Sequence, residues 1–81
     1  MKIDESKIDD AVLALLALTL HDGNRAWKGF DWSSLDRLHK RGLIDNPASS
    51  AKSIVLTDEG LARSQQLFQA LFTQPDQEPR P

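Results

Sequence analysis

His21 and His39 are the only histidines in the chain, and there is no cysteine. Composition therefore excludes a thiolate zinc site and a disulfide framework. The histidines are not four residues apart, and no carboxylate trio stands with them at ligand spacing, so no metal centre is predicted. His21-Asp22 has the order of a base and an orienting acid, and Ser33 or Ser34 offers a hydroxyl that such a pair could activate. Those serines lack the glycines of a nucleophile elbow. Both fall in the first turn of an expected helix, where serine is ordinary. Gly23 and Gly29 match no phosphate-cradling fingerprint. The expectation is a protein that is not an enzyme and holds no cofactor.

Contact chemistry is better represented. Arg25, Lys28, Arg37, Lys40, Arg41 and Lys52 share a stretch with only Asp31, Asp36 and Asp45 as acids, a local charge of +3. Residues 1–24 carry −3 and residues 53–81 carry −2, for a net −2. A basic centre between acidic flanks could meet phosphate, through a field that salt screens readily. These six cations are the candidate DNA contacts, and without a groove to receive them they form a solvated face. Trp27, Phe30 and Trp32 cluster beside Arg25 and Lys28. Such a group can make an aromatic surface for a protein partner or for stacked bases. Phe30 and Trp32 are expected to fill space on the core side of the next helix, which leaves Trp27 as the candidate partner-binding residue.

The elements that must position these residues have clear boundary signals. Ser6 is placed to cap a first helix, with Asp9 three residues on as a partial capping box. From Ile8 to Leu20 nearly every residue is apolar or alanine, with Ile8, Val12, Leu15, Leu16 and Thr19 on one face and Leu13, Ala17 and Leu20 on another. A helix apolar on more than one side is normally covered on more than one side. It is therefore the central helix of a monomer or packs on a second copy, and self-association through Ile8–Leu20 is one expectation. Gly23 or Asn24 is expected to take the left-handed position after it. Residues 25–29 leave room for one turn or a short strand.

Asp31 is an N-cap, with Phe30 and Leu35 at the spacing of a hydrophobic staple. Trp32, Leu35 and Leu38 give one apolar face. Gly42 and Leu43 are spaced for a Schellman ending, with Lys40 and Arg41 in the last turn where the helix dipole favours cations. Leu43-Ile44, the turn formers Asp45 to Ala51, and the apolar Ser53–Leu56 predict a β-hairpin. Thr57 then caps a closing helix with Asp58 and Glu59 in its first turn. Leu61, Ser64, Leu67, Phe68, Leu71 and Phe72 form its apolar stripe, expected to lie against the first helix.

The pattern L-x-x-L-x-x-x-G-L-I, polar turn, apolar strand, L-T-x-E-G resembles the C-terminal half of winged helix-turn-helix domains, over Leu35 to about Phe72. The run H-D-G-N-R-A-W-K-G-F-D-W, His21 to Trp32, resembles that of a small bacterial family of uncharacterised domains. The first resemblance implies a wing and possible groove contact by the short helix; the second implies a fold and no activity. The first helix of a complete helix-turn-helix pair is missing, which would leave the second unbraced for the major groove.

The expected fold is α+β and mostly helical, winged-helix-like: helix, irregular aromatic segment, helix, β-hairpin wing, closing helix. One domain spans residues 1–73, with a proline-rich, charged, disordered tail from 74 to 81. The start M-K-I-D-E-S is unlike a signal peptide, and Ala11–Leu18 is too short for a membrane span, so a cytoplasmic location is expected. Function is expected to be that of a non-enzymatic regulator or accessory contacting DNA. The alternative is a protein-interaction or dimerisation module.

Overall fold

The computed structural model describes residues 1–49 and 51–75. The expected tail therefore lies, from residue 76 on, outside the described residues. Six elements follow one another: α1 (Glu5–Leu16), a 3₁₀ turn (Ala17–Thr19), β1 (Arg25–Trp27), α2 (Trp32–Lys40), β2 (Ser53–Val55) and α3 (Asp58–Phe72). The fold is α+β with a winged-helix-like layout. Among the described residues no helix is long and apolar enough to cross a membrane.

Helix α1 starts earlier and ends earlier than its apolar run suggests. Asp4, rather than Ser6, is the N-cap, and its carboxylate accepts from the Lys7 amide. After Leu16 the chain tightens into the 3₁₀ turn. There the Thr19 hydroxyl donates to the Leu16 carbonyl at 3.4 Å and accepts from the Trp27 amide at 3.1 Å. That second bond ties the helix end to β1, so the turn is set by a tertiary contact. The left-handed residues that follow are Asp22 and Gly23, while Asn24 is not one of them.

Helix α2 begins and ends as its local signals require. Asp31 accepts from the Ser34 amide and hydroxyl. At the other end Gly42 has φ +77°. The Leu43 amide reaches the Leu38 carbonyl and the Gly42 amide reaches that of His39, which is the Schellman pairing. Leu35, Leu38 and Leu43 are buried in the common core with Val12, Leu13, Leu16, Ala26, Ile44, Ile54 and Leu56. Phe30 packs against that core as expected. Trp32 does not: it is 56% exposed. Helical spacing sets it about a third of a turn from the buried centre at Ser34, Leu35 and Leu38.

Strand β2 forms where the apolar run predicts. Its ladder partner, however, is the aromatic segment, with Arg25, Ala26 and Trp27 paired antiparallel to Val55, Ile54 and Ser53. Leu43-Ile44 contributes a single bridge, Ile44 to Leu56, beside which the Asp45 amide donates to the Val55 carbonyl. The Asp45 carboxylate takes the Val55 amide at 2.9 Å. A side-chain acceptor thus stands where a strand would have continued, and the chain leaves the ladder after Asp45.

Helix α3 is locked at its start. Thr57 accepts from the Gly60 amide, and its hydroxyl also lies within hydrogen-bond reach of the Gly42 and Leu43 carbonyls. Gly60 packs on the Leu43 backbone so closely that a Cβ there would lie 2.7 Å from the Leu43 carbonyl carbon. Farther along, buried Ser64 donates to the Leu13 carbonyl at 2.7 Å. Lys7, Asp10 and Ala11 lie beside Leu67, Leu71 and Phe72, so α3 runs antiparallel to α1.

These contacts rank three glycine substitutions. Gly60→Ala forces backbone to move and is expected to destabilise by about 3 kcal/mol or more. Gly42→Val places a β-branched residue in the left-handed region, at a cost of about 1–2 kcal/mol. Gly29, with open space where a Cβ would go, tolerates alanine. Thermal melts of the three variants should follow that order.

Candidate functional site

The side chains that could meet a phosphate backbone are largely engaged within the domain. Arg37 forms a bidentate pair with Asp9 of α1, Nε to Oδ2 at 2.7 Å and Nη2 to Oδ1 at 2.8 Å. Its Nη2 also donates to the Ser34 hydroxyl at 3.4 Å, and Nη1 lies 3.5 Å from Glu5. Asp9 is only 2% exposed. A carboxylate so buried is stable as an anion only when charge and hydrogen bonds meet it there, and the planar guanidinium supplies both. The bond to Asp9 raises the Arg37 pKa above its ordinary value, against the lowering effect of burial. Arg37 is therefore turned onto α1 and does not stand on an open polar face.

The other cations are held more lightly. Arg41 reaches Asp10 of α1 at 4.0 Å, and Lys40 pairs with Asp36 one turn back at 3.0 Å. Arg25 donates from Nε to the Ser53 hydroxyl, across the β1–β2 pair. Lys28 donates from Nζ to the carbonyls of Pro47 at 2.9 Å and Ser49 at 2.7 Å, which ties the wing loop to β1. Lys52 is exposed, with its carbonyl accepting from the Lys28 amide. The fold thus brings Glu5, Asp9 and Asp10 of the acidic flank against the basic centre. The +3 of the linear stretch does not become an uninterrupted positive face.

The H-D-G-N-R-A-W-K run is likewise occupied with local and tertiary bonds. His21 and Arg25 exchange two backbone hydrogen bonds around Asp22 and Gly23. Asn24 and Leu56 are joined by a backbone bond at 2.8 Å and a side-chain bond at 3.3 Å. His21 donates from Nδ1 to the Thr19 carbonyl, and its ring lies 4.6 Å from that of exposed Trp27. Ser34 is buried and bonded to Asp31. His21, Asp22 and Ser34 are thus each engaged locally, while Ser33 is exposed. Among the described residues no three or more metal-ligating side chains gather at a common point.

A further surface lies on the helix through which self-association, over Ile8–Leu20, is expected from the sequence. On α1 and the turn after it, Ile8, Ala11, Leu15 and Leu18 follow helical spacing along the outside. Ile8 is exposed, and Leu18 is 65% exposed. Beside them Leu67, Leu71 and Phe72 of α3 border an open groove of about 480 Å³ with Lys7, Asp10 and Ala11. The one sequence signal for this surface is that α1 is apolar on more sides than a single neighbour can cover.

The model of the family described as a domain of unknown function (DUF6429) matches residues 4–74, from the cap of α1 to just past α3. The chain belongs to this family. It is also similar to the uncharacterized protein y4hR of Sinorhizobium fredii (strain NBRC 101917 / NGR234). The two are 68% identical over 73 residues, covering 90% of this chain and 99% of the relative. No solved structure matches the chain. The family match takes in the His21–Trp32 run, which resembles that of a family of uncharacterised domains.

Because Asp9 is buried and Arg37 is its charge partner, Arg37→Ala should lower the melting temperature more than Lys40→Ala does. Lys40 sits in a surface pair of the kind that contributes little. Circular-dichroism melts of the two variants at neutral pH would check the ranking, and equal shifts would remove the structural role given to Arg37.

Proposed function

We propose that this domain is a non-enzymatic protein-interaction module that keeps a winged-helix-like layout without reading DNA. The observation carrying the proposal is the pairing of Arg37 with buried Asp9. Arg37, one of the two α2 cations expected to reach into a groove, is held on α1 by two short charge-assisted bonds. Releasing it would leave a carboxylate buried without its partner. Arg25 and Lys28 add to this, each donating to a neighbour within the domain. The net charge of −2 also disfavours a polyanion.

The apolar surface on α1 and α3 supplies what an interaction module needs. It offers large side chains at helical spacing beside a groove with few charges. The module is proposed to act in the cytoplasm.

A fluorescence-anisotropy titration with labelled duplex DNA at low salt tests the reading. The expected outcome is no saturable binding below about 100 µM, the weak edge of ordinary non-specific affinity. Tighter binding that falls steeply with added salt, and weakens in an Arg25→Ala, Lys52→Ala variant, would overturn it in favour of a DNA-contacting regulator.

A further inference from the structure

We infer that the occupant of the α1–α3 groove is a second copy of this chain, related by a two-fold axis. In that arrangement Leu71 and Phe72 of each protomer enter the groove of the other. This rests on the interaction-module reading and names its partner. A two-fold interface must be complementary to itself, because the same patch faces its own copy.

The groove meets that condition in shape. Its lining includes the small side chain of Ala11 and the exposed, large side chains of Leu71 and Phe72. One patch therefore holds both the recess and the projections to fill it. Phe72 already has Phe68 beside it at 6.0 Å between ring centres, which supports the projecting ring from below.

The patch meets the condition in charge as well. Its lining contains one cation, Lys7, and one anion, Asp10. A two-fold rotation that exchanges recess and projection can set Lys7 against the partner's Asp10 and Asp10 against the partner's Lys7. Two opposite contacts result, and no charge is left facing its like. Asp10 also lies 4.0 Å from Arg41, a long and partly exposed contact that does not neutralise it.

Size is consistent with a modest dimer. Two helices side by side, each about 20 Å long and about 10 Å across, present about 400 Å² in projection. That approaches the roughly 600 Å² of accessible surface per partner at which small specific interfaces begin. Dissociation in the range of about 1–100 µM is therefore expected.

The test uses the full chain and reads mass by light scattering after size exclusion. The wild-type protein should shift from 9.1 kDa toward twice that mass across the stated range. Lys7→Glu alone and Asp10→Lys alone should each weaken association at least tenfold, since each places like charges together at two points. Mixing the two variants should restore dimer to within about threefold of the wild type, because every contact is then opposite in sign. Helical content and melting temperature serve as controls, and Leu71→Lys gives a further variant expected to be monomeric with its helices intact. A wild-type chain that stays monomeric throughout the range, or single variants that are not restored on mixing, would overturn the inference. Either result leaves the interaction-module reading itself standing, since that reading fails only on the DNA titration.

Discussion

The Leu43 carbonyl is where the two halves of this domain are joined. It accepts from the Thr57 amide at 3.1 Å, the Thr57 hydroxyl lies 3.2 Å away, and Gly60 packs on its backbone. The turn that ends α2 is therefore also the surface on which α3 begins. From that start α3 is directed along α1, with Ser64 on the Leu13 carbonyl. A side chain at position 60 would push the first turn of α3 off the end of α2. This gives a physical meaning to the pairing of G-L-I with L-T-x-E-G in one sequence. The first motif presents a carbonyl, and the second supplies a hydroxyl, an amide and a missing Cβ to receive it.

A second constraint follows from the first. With α3 closing one side of α1, α2 covers another, and the acids Glu5, Asp9 and Asp10 come to face Arg37 and Arg41. Of these contacts the Asp9–Arg37 pair matters most, because Asp9 has almost no access to water. Such a pair adds little net stability compared with apolar packing, yet it penalises any arrangement that separates its members. It fixes the register of α1 on α2 and holds the central arginine of the short helix against α1.

The His21–Trp32 run illustrates how a distinctive sequence can serve a structural purpose. Asp22 and Gly23 make the left-handed turn, Asn24 binds Leu56, Lys28 binds the wing loop, and Asp31 caps α2. Its residues connect α1, the wing and α2 in a span where a complete winged helix would have another helix. Without that helix the segment must supply bonds of its own, and polar side chains aimed at backbone carbonyls provide them. The run also leaves Trp27 and Trp32 exposed, and further large apolar side chains stand uncovered on the outer side of α1 and at the end of α3.

By itself the sequence determined the order of elements, the caps at Asp31 and Thr57, the Schellman ending at Gly42 and the apolar strand at Ser53–Val55. Each of these depends on residues at most five or six apart, whose preferences act before the chain folds. It also signalled, through an α1 apolar on several sides, that a surface would be left to cover. Tertiary structure alone decided the rest. The partner of β2 is β1, twenty-eight residues away at the Ala26–Ile54 pair, because β1 is tied to the end of α1 by Thr19. Arg37 belongs to Asp9, also twenty-eight residues away, so a stretch that is basic when counted along the chain is met by acids once folded. Charge adds over space, and only the packing of α1 on α2 sets which charges are neighbours.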